Sequence, residues 1–80
     1  MINMFDDKNK IDLHGIKHEN VSSLLDDFMW KHISKKSNSI TIITGKSDVM
    51  KKIVSKIVIE YGFSINEGMS NTGVLYVNLS

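Results

Sequence analysis

Cysteine and arginine are both missing from this chain, and no apolar run approaches the roughly 20 residues needed to cross a bilayer. Without cysteine, disulfides and thiolate metal sites are excluded, which fits a reducing cytoplasm. Without arginine, all ten cations are lysines, which meet phosphate as point charges rather than as bidentate forks. No signal-peptide pattern opens the sequence, so the expected location is cytoplasmic with no membrane partner. A net charge of +1 is too small for a strongly polybasic nucleic-acid binder, and charge placement matters more than its total. What remains is 80 residues with 41% apolar content, the composition of one globular domain. A core of that size leaves a net stability of only a few kcal/mol.

The chain divides into a lead-in at 1–9 and a single domain at 10–80. Asp6-Asp7-Lys8-Asn9-Lys10 reads as solvated, with Met4 and Phe5 packing on the domain edge. Ile11-Asp12-Leu13-His14 alternates apolar and polar, the period of a half-buried strand, and Gly15 lets the chain turn sharply. Ile11 and Leu13 then face the core, while Asp12 and His14 project side by side from the other face. A carboxylate beside an imidazole suits proton transfer. A polar strand edge that merely alternates would read the same way.

From His18 to Lys36 the spacing becomes helical. Val21, Leu24, Leu25, Phe28, Met29 and Ile33 share one face, with His32 inside the stripe as a partly buried structural histidine. Trp30 projects from the opposite side, as a lone exposed aromatic or a partner contact. Ile40 to Thr44 is a second, β-branched strand. Thr44-Gly45-Lys46-Ser47 follows and leads into a helix over about Asp48–Tyr61, which Ser47 can cap. Val49, Met50, Ile53, Val54, Ile57, Val58 and Tyr61 form its buried arc. Lys51, Lys52, Ser55 and Lys56 form the other arc, a solvated face or a track for a phosphate backbone. Gly62 ends the helix, Phe63–Asn66 is a third strand, Gly68–Gly73 a polar loop, and Val74–Leu79 the fourth strand.

The order is β-α-β-α-β-β, an α/β two-layer sandwich with a mixed four-stranded sheet and both helices on one face. Two strands each followed by a helix run parallel through right-handed crossovers. Asp12-Leu13-His14-Gly15 and Thr44-Gly45-Lys46-Ser47 therefore emerge at one carboxyl edge, where helix N-termini offer amides to an anion. The open sheet face displays Asp12, His14, Ser64, Asn66, Tyr76 and Asn78.

Ile11-Asp12-Leu13-His14-Gly15 resembles the LDxH signature of Smr (small MutS-related) domains, and Thr44-Gly45-Lys46-Ser47 resembles their TGxG signature. The resemblance runs from about Lys10 to Leu79 and includes Asn71-Thr72-Gly73-Val74 and Val77-Asn78-Leu79. It implies a fold similar to the C-terminal domain of translation initiation factor 3, strand order 1-2-4-3, and nuclease-type function, the histidine form of the first motif being associated with RNA cleavage. Ile11 replaces leucine conservatively. Ser47 replaces the second glycine, where a side chain either hinders a phosphate or donates a hydroxyl and caps the helix.

Gly45-Lys46-Ser47 also matches the end of a Walker A loop, but that motif needs glycine where Ile40 stands, so no nucleotide cofactor is expected. Asp12 and His14 could share a divalent metal, although they are fewer ligands than a structural site needs. His18 opens a helix and is taken as solvated. The expected function is a phosphodiesterase on nucleic acid, RNA before DNA. In it His14 moves the proton, Asp12 orients it, and Lys46, with the amides of Gly45 and Ser47, stabilises phosphate charge. Gly15, Thr44, Gly45, Ser47, Lys51, Lys52 and Tyr76 complete the binding surface, with Tyr76 stacking on a base. The alternative is a non-catalytic nucleic-acid-binding module on the same surface.

Overall fold

In a computed structural model the described residues are 9–67 and 73–80. Most of the lead-in, including Met4 and Phe5, lies outside them, as does the loop at 68–72. The elements are β1 (Lys10–Asp12), α1 (His18–Ser34), β2 (Ser39–Ile43), α2 (Asp48–Glu60), β3 (Ser64–Glu67) and β4 (Val74–Asn78). The strands form one four-stranded sheet in the order β1-β2-β4-β3. β1 and β2 are parallel, while β4 is antiparallel to both β2 and β3. The mixed sheet and the element order agree with the sequence pattern, and the strand order agrees with what the resemblance implies.

Alternation along the strands decides which face is covered. Ile11, Ile40, Ile42, Leu75 and Val77 point to the helices and are buried together with Val21, Leu25, Phe28 and Met29 of α1 and Met50, Val54 and Val58 of α2. Each large side chain removed from water contributes roughly 1.5–3 kcal/mol, so this single layer of contact holds the domain together. The opposite face carries Asp12, Ser64, Asn66, Tyr76 and Asn78, all exposed. Pairing also sets Ile43 and Val74 beside Asp12 on that face, so its end near β1 has an apolar floor.

Several details differ from the sequence reading. β1 stops at Asp12 rather than His14, because His14-Gly15 is already a turn; Leu13 nevertheless stays in the core and its amide donates to the Ile43 carbonyl at 2.8 Å. Val49 was expected in the buried arc of α2 but is 53% exposed. It sits in the first turn, where Met50 takes the inward position and Val49 falls about 100° round the helix. β3 begins at Ser64 and is an edge strand, so Ile65 is only half-buried. His32 is fully enclosed rather than partly buried, with its Nδ1 and the Ser37 hydroxyl 2.8 Å apart and its ring 4.5 Å from that of Phe28.

Candidate functional site at the carboxyl edge of the sheet

Because β1 and β2 are parallel neighbours, with Asp12 opposite Ile43, both following turns leave the sheet at one edge. The first is built by local chemistry. The Asp12 carboxylate accepts the backbone amide of His14 at 3.0 Å, and the Ile16 amide donates to the Leu13 carbonyl at 3.0 Å. His14 and Gly15 are thus the central pair of a tight turn, and Gly15 has φ +83°, as the second position of a type II turn requires. The His14 ring is left exposed, and among the described residues it makes no hydrogen bond. Asp12 therefore fixes the backbone that carries the imidazole, and its hydrogen bond does not run to the ring as the sequence suggested.

The second turn is stapled from beneath. The amides of Thr44 and Gly45 both donate to the Gly73 carbonyl, at 2.8 and 3.1 Å. The Thr44 hydroxyl donates to the carbonyls of Gly45 and Gly73, at 2.9 and 3.3 Å. Thr44 is only 2% exposed. Its assignment as a ligand contact is corrected accordingly: its polar atoms close the loop instead. The same holds for the Gly45 amide, which the Gly73 carbonyl already occupies. Ser47 caps α2, its hydroxyl accepting the Met50 amide at 3.1 Å. Among the described residues the amides of Ser47 and Asp48 engage nothing, so unlike the Gly45 amide they remain open at the start of α2.

The two turns touch through Gly45. A Cβ built there would lie 3.2 Å from Cδ2 of His14, and Gly45 also has φ +69°. A Cβ on Gly73 would in turn meet the Gly45 backbone at 3.3 Å. His14, Gly45 and Gly73 thus form a close stack in which the first glycine of the Thr-Gly turn makes room for the imidazole. Sequence analysis placed Gly73 at the head of β4 and within the segment Asn71-Thr72-Gly73-Val74 that carries the resemblance, but gave it no part in the site.

Lysines are placed unevenly. Lys46 is exposed and pairs with no carboxylate among the described residues, and Lys52 is likewise open. Lys51 is not a free phosphate contact. Its ammonium lies 2.8 Å from the Glu67 carboxylate, because β3 runs beside the first turns of α2, and its side chain is 19% exposed. Lys17, which sequence reading passed over, is the N-cap of α1 and makes no side-chain cap. Together with Gly15, Ile16, Asn20, Ser23 and Leu24 it lines a cleft that starts at the first turn. Tyr76 stands on the open face between Thr41 and Asn66, 43% exposed, as a base-stacking residue requires. Asp12 and His14 supply two potential metal ligands, and no group of three or more such side chains gathers among the described residues. No helix among them is long and apolar enough to cross a membrane.

No curated protein matches the sequence. Solved structures do. The B3BP Smr domain superposes with a TM-score of 0.78 at 23% identity, covering 95% of this chain and 82% of that one. The SMR domain of NEDD4-binding protein 2 gives 0.70 at 24% identity, covering 90% and 85%. YdaL, a stand-alone small MutS-related protein from Escherichia coli, gives 0.79 at 15% identity, covering 89% of this chain and 63% of its own. These likenesses establish the shared fold. The Smr domain family model matches residues 11–80, which takes in both turns and all the strands but for Lys10 at the start of β1, and this chain therefore belongs to the Smr domain family, a group of nucleic-acid-binding, nuclease-related modules.

Proposed function

We propose that this Smr domain binds single-stranded nucleic acid across the carboxyl edge of its sheet and cleaves the phosphodiester backbone there, RNA in preference to DNA. The observation that carries the reading is the His14 imidazole, exposed on a backbone fixed by Asp12, lying over Gly45 beside the turn that bears Lys46. On RNA, His14 takes the proton of the 2′-hydroxyl as its oxygen attacks the adjacent phosphorus. The P–O5′ bond breaks, leaving a 2′,3′-cyclic phosphate, and the departing oxygen collects a proton from water. Lys46 and the Ser47 and Asp48 amides face the charge growing on the phosphoryl oxygens. DNA lacks that internal nucleophile, which supports the preference for RNA. Should a divalent ion bind, Asp12 and His14 are the side chains positioned to meet it.

A second reading has one observation in its favour. The Asp12 carboxylate engages a backbone amide and not the imidazole, which is also what a purely structural turn would show. In that case the edge and Tyr76 bind nucleic acid without cutting it. Single-turnover assays on end-labelled single-stranded RNA and on DNA of the same sequence, each with and without chelator, separate the two. Cleavage of RNA leaving cyclic phosphate ends supports the catalytic reading. Tight binding with intact RNA supports the binding module.

A further inference from the structure

The helix layer carries, at its end away from His14, the chain's only tryptophan. Trp30 is 61% exposed, and its ring meets that of Tyr61 edge-on with centroids 6.4 Å apart. The Tyr61 hydroxyl donates to the Asp26 carboxylate at 2.9 Å, and Asp26 lies one helical turn before Trp30. Both rings are thereby held in place across α1 and α2. Beside them runs a cleft lined by Ser22, Asp26, Ile57, Glu60 and Tyr61.

The rim of this cleft is acidic. Asp26 and Asp27 come from α1, and Glu60 ends α2, whose last turn contains no basic residue. Glu60 therefore adds negative charge at the negative end of a helix dipole. No ion pair within 4 Å engages any of the three carboxylates among the described residues. The Tyr61 hydroxyl is held above the usual phenol range, first by burial, then by its bond to Asp26 and by the charges of Asp26 and Asp27. A cation brought to this rim relieves the mutual repulsion, whereas a phosphate backbone is turned away. The partner is thus of opposite charge to nucleic acid.

We propose that this α1–α2 face docks a cationic peptide segment of a partner protein, its Lys or Arg groups on Asp26, Asp27 and Glu60 and an aliphatic or guanidinium surface against Trp30 and Tyr61. A fixed aromatic inside a charged rim is the usual make-up of a binding hot spot. Because α1 and α2 run back from the carboxyl edge, their last turns lie at the far end of the domain from His14 and Lys46. Protein and nucleic acid are then held at the same time.

Trp30 reports its own occupancy by fluorescence. The probe is a short amphipathic helical peptide of Arg and Leu, with a Glu-for-Arg version as control. The Arg peptide is expected to shift Trp30 emission saturably at moderate salt, the Glu peptide to leave it unchanged, and added RNA to leave the peptide affinity unaltered. The triple variant Asp26→Asn, Asp27→Asn, Glu60→Gln should bind the labelled peptide about tenfold more weakly. Trp30→Ala, followed by peptide anisotropy, should lose at least about tenfold. Circular dichroism confirms the fold of each variant, and Trp30→Tyr, which keeps a ring there, should retain most of the affinity. Unchanged affinity in the triple variant, or displacement of the peptide by RNA, would overturn the proposal. So would sedimentation showing a dimer that Trp30→Ala dissociates, since the occupant would then be a second copy of the chain.

Discussion

The two strand-to-helix turns have the same position in their units and opposite construction. After β1, an aspartate carboxylate holds a backbone amide, Gly15 has open space around it, and α1 begins at Lys17 without a side-chain cap. After β2, a threonine is buried, Gly45 is crowded by the His14 ring, and α2 begins under the Ser47 hydroxyl. The first turn presents the exposed His14 ring, and at its helix end Lys17 makes no ion pair among the described residues. The second is a closed support, fastened to Gly73 and pressed against the first. An exposed ring on the first turn thus rests against a buried staple in the second, although the second turn also carries the exposed Lys46.

If that contrast holds, the largest effect belongs to the first turn. His14→Ala removes an exposed side chain, so its cost in stability should be within about 1 kcal/mol. RNA cleavage should fall by roughly 10²–10⁴-fold if His14 moves the proton. Asp12→Asn refines the point, because an amide oxygen can still accept the His14 N–H. It should keep the melting temperature and lose cleavage only to the extent that the negative charge matters. A folded His14→Ala protein that cuts at the parent rate removes the catalytic assignment. Binding is read separately through salt. Lys46→Ala and Lys52→Ala should each flatten the log–log salt dependence of single-stranded RNA affinity by roughly 0.7. Lys51→Ala should change that slope less, since its charge is already paired with Glu67.

Gly45→Ala comes next. A left-handed backbone costs a non-glycine residue about 1–3 kcal/mol, and here the new Cβ would also press on His14 Cδ2 at 3.2 Å. Gly15→Ala meets the backbone cost alone, because nothing lies within 4 Å of its Cβ. Gly45→Ala should therefore melt lower than Gly15→Ala, by about 4–8 °C for each further kcal/mol. It should also cut RNA more slowly at temperatures where it remains folded. Equal melting temperatures would mean that the His14 ring yields freely, and the two turns would not be coupled.

Why one turn supports the other was not legible in the sequence. Period and spacing locate Ile11, Leu13, Val21, Leu25, Met50, Val54 and Val58 in the core, because a face must be apolar to be buried. The same logic gives the carboxyl edge and the exposure of His14. It failed at Val49, which the helical arc includes but the sheet does not reach. It also failed at Thr44, whose hydroxyl finds a carbonyl 29 residues away, and at Lys51, whose partner Glu67 arrives from another strand. The last two share a cause. Local pattern reports which face a residue takes, and only the folded chain supplies the long-range partner that consumes its polar group.

The smallest effect sharpens the comparison most. Ser47→Ala removes the cap of α2 and should destabilise by about 1 kcal/mol. Lys17→Ser does the reverse at α1: it provides a hydroxyl for an uncapped helix and removes a cation from the positive end of the dipole, each worth a few tenths to about 1 kcal/mol. The variant should therefore be more stable than the parent. Natural sequences keep a destabilising residue where the site uses it, and Lys17 lines the cleft that starts at Gly15 of the first turn. Lys17→Ser should accordingly raise the melting temperature while weakening RNA binding and lowering the salt slope by roughly 0.7, one phosphate contact on a single strand. Denaturant melts and RNA titrations on the same preparation measure both. Gain of stability with unchanged RNA affinity would confine the nucleic-acid surface to the α2 side of the edge, and His14 would then face a phosphate held by Lys46 and the Ser47 and Asp48 amides without help from α1.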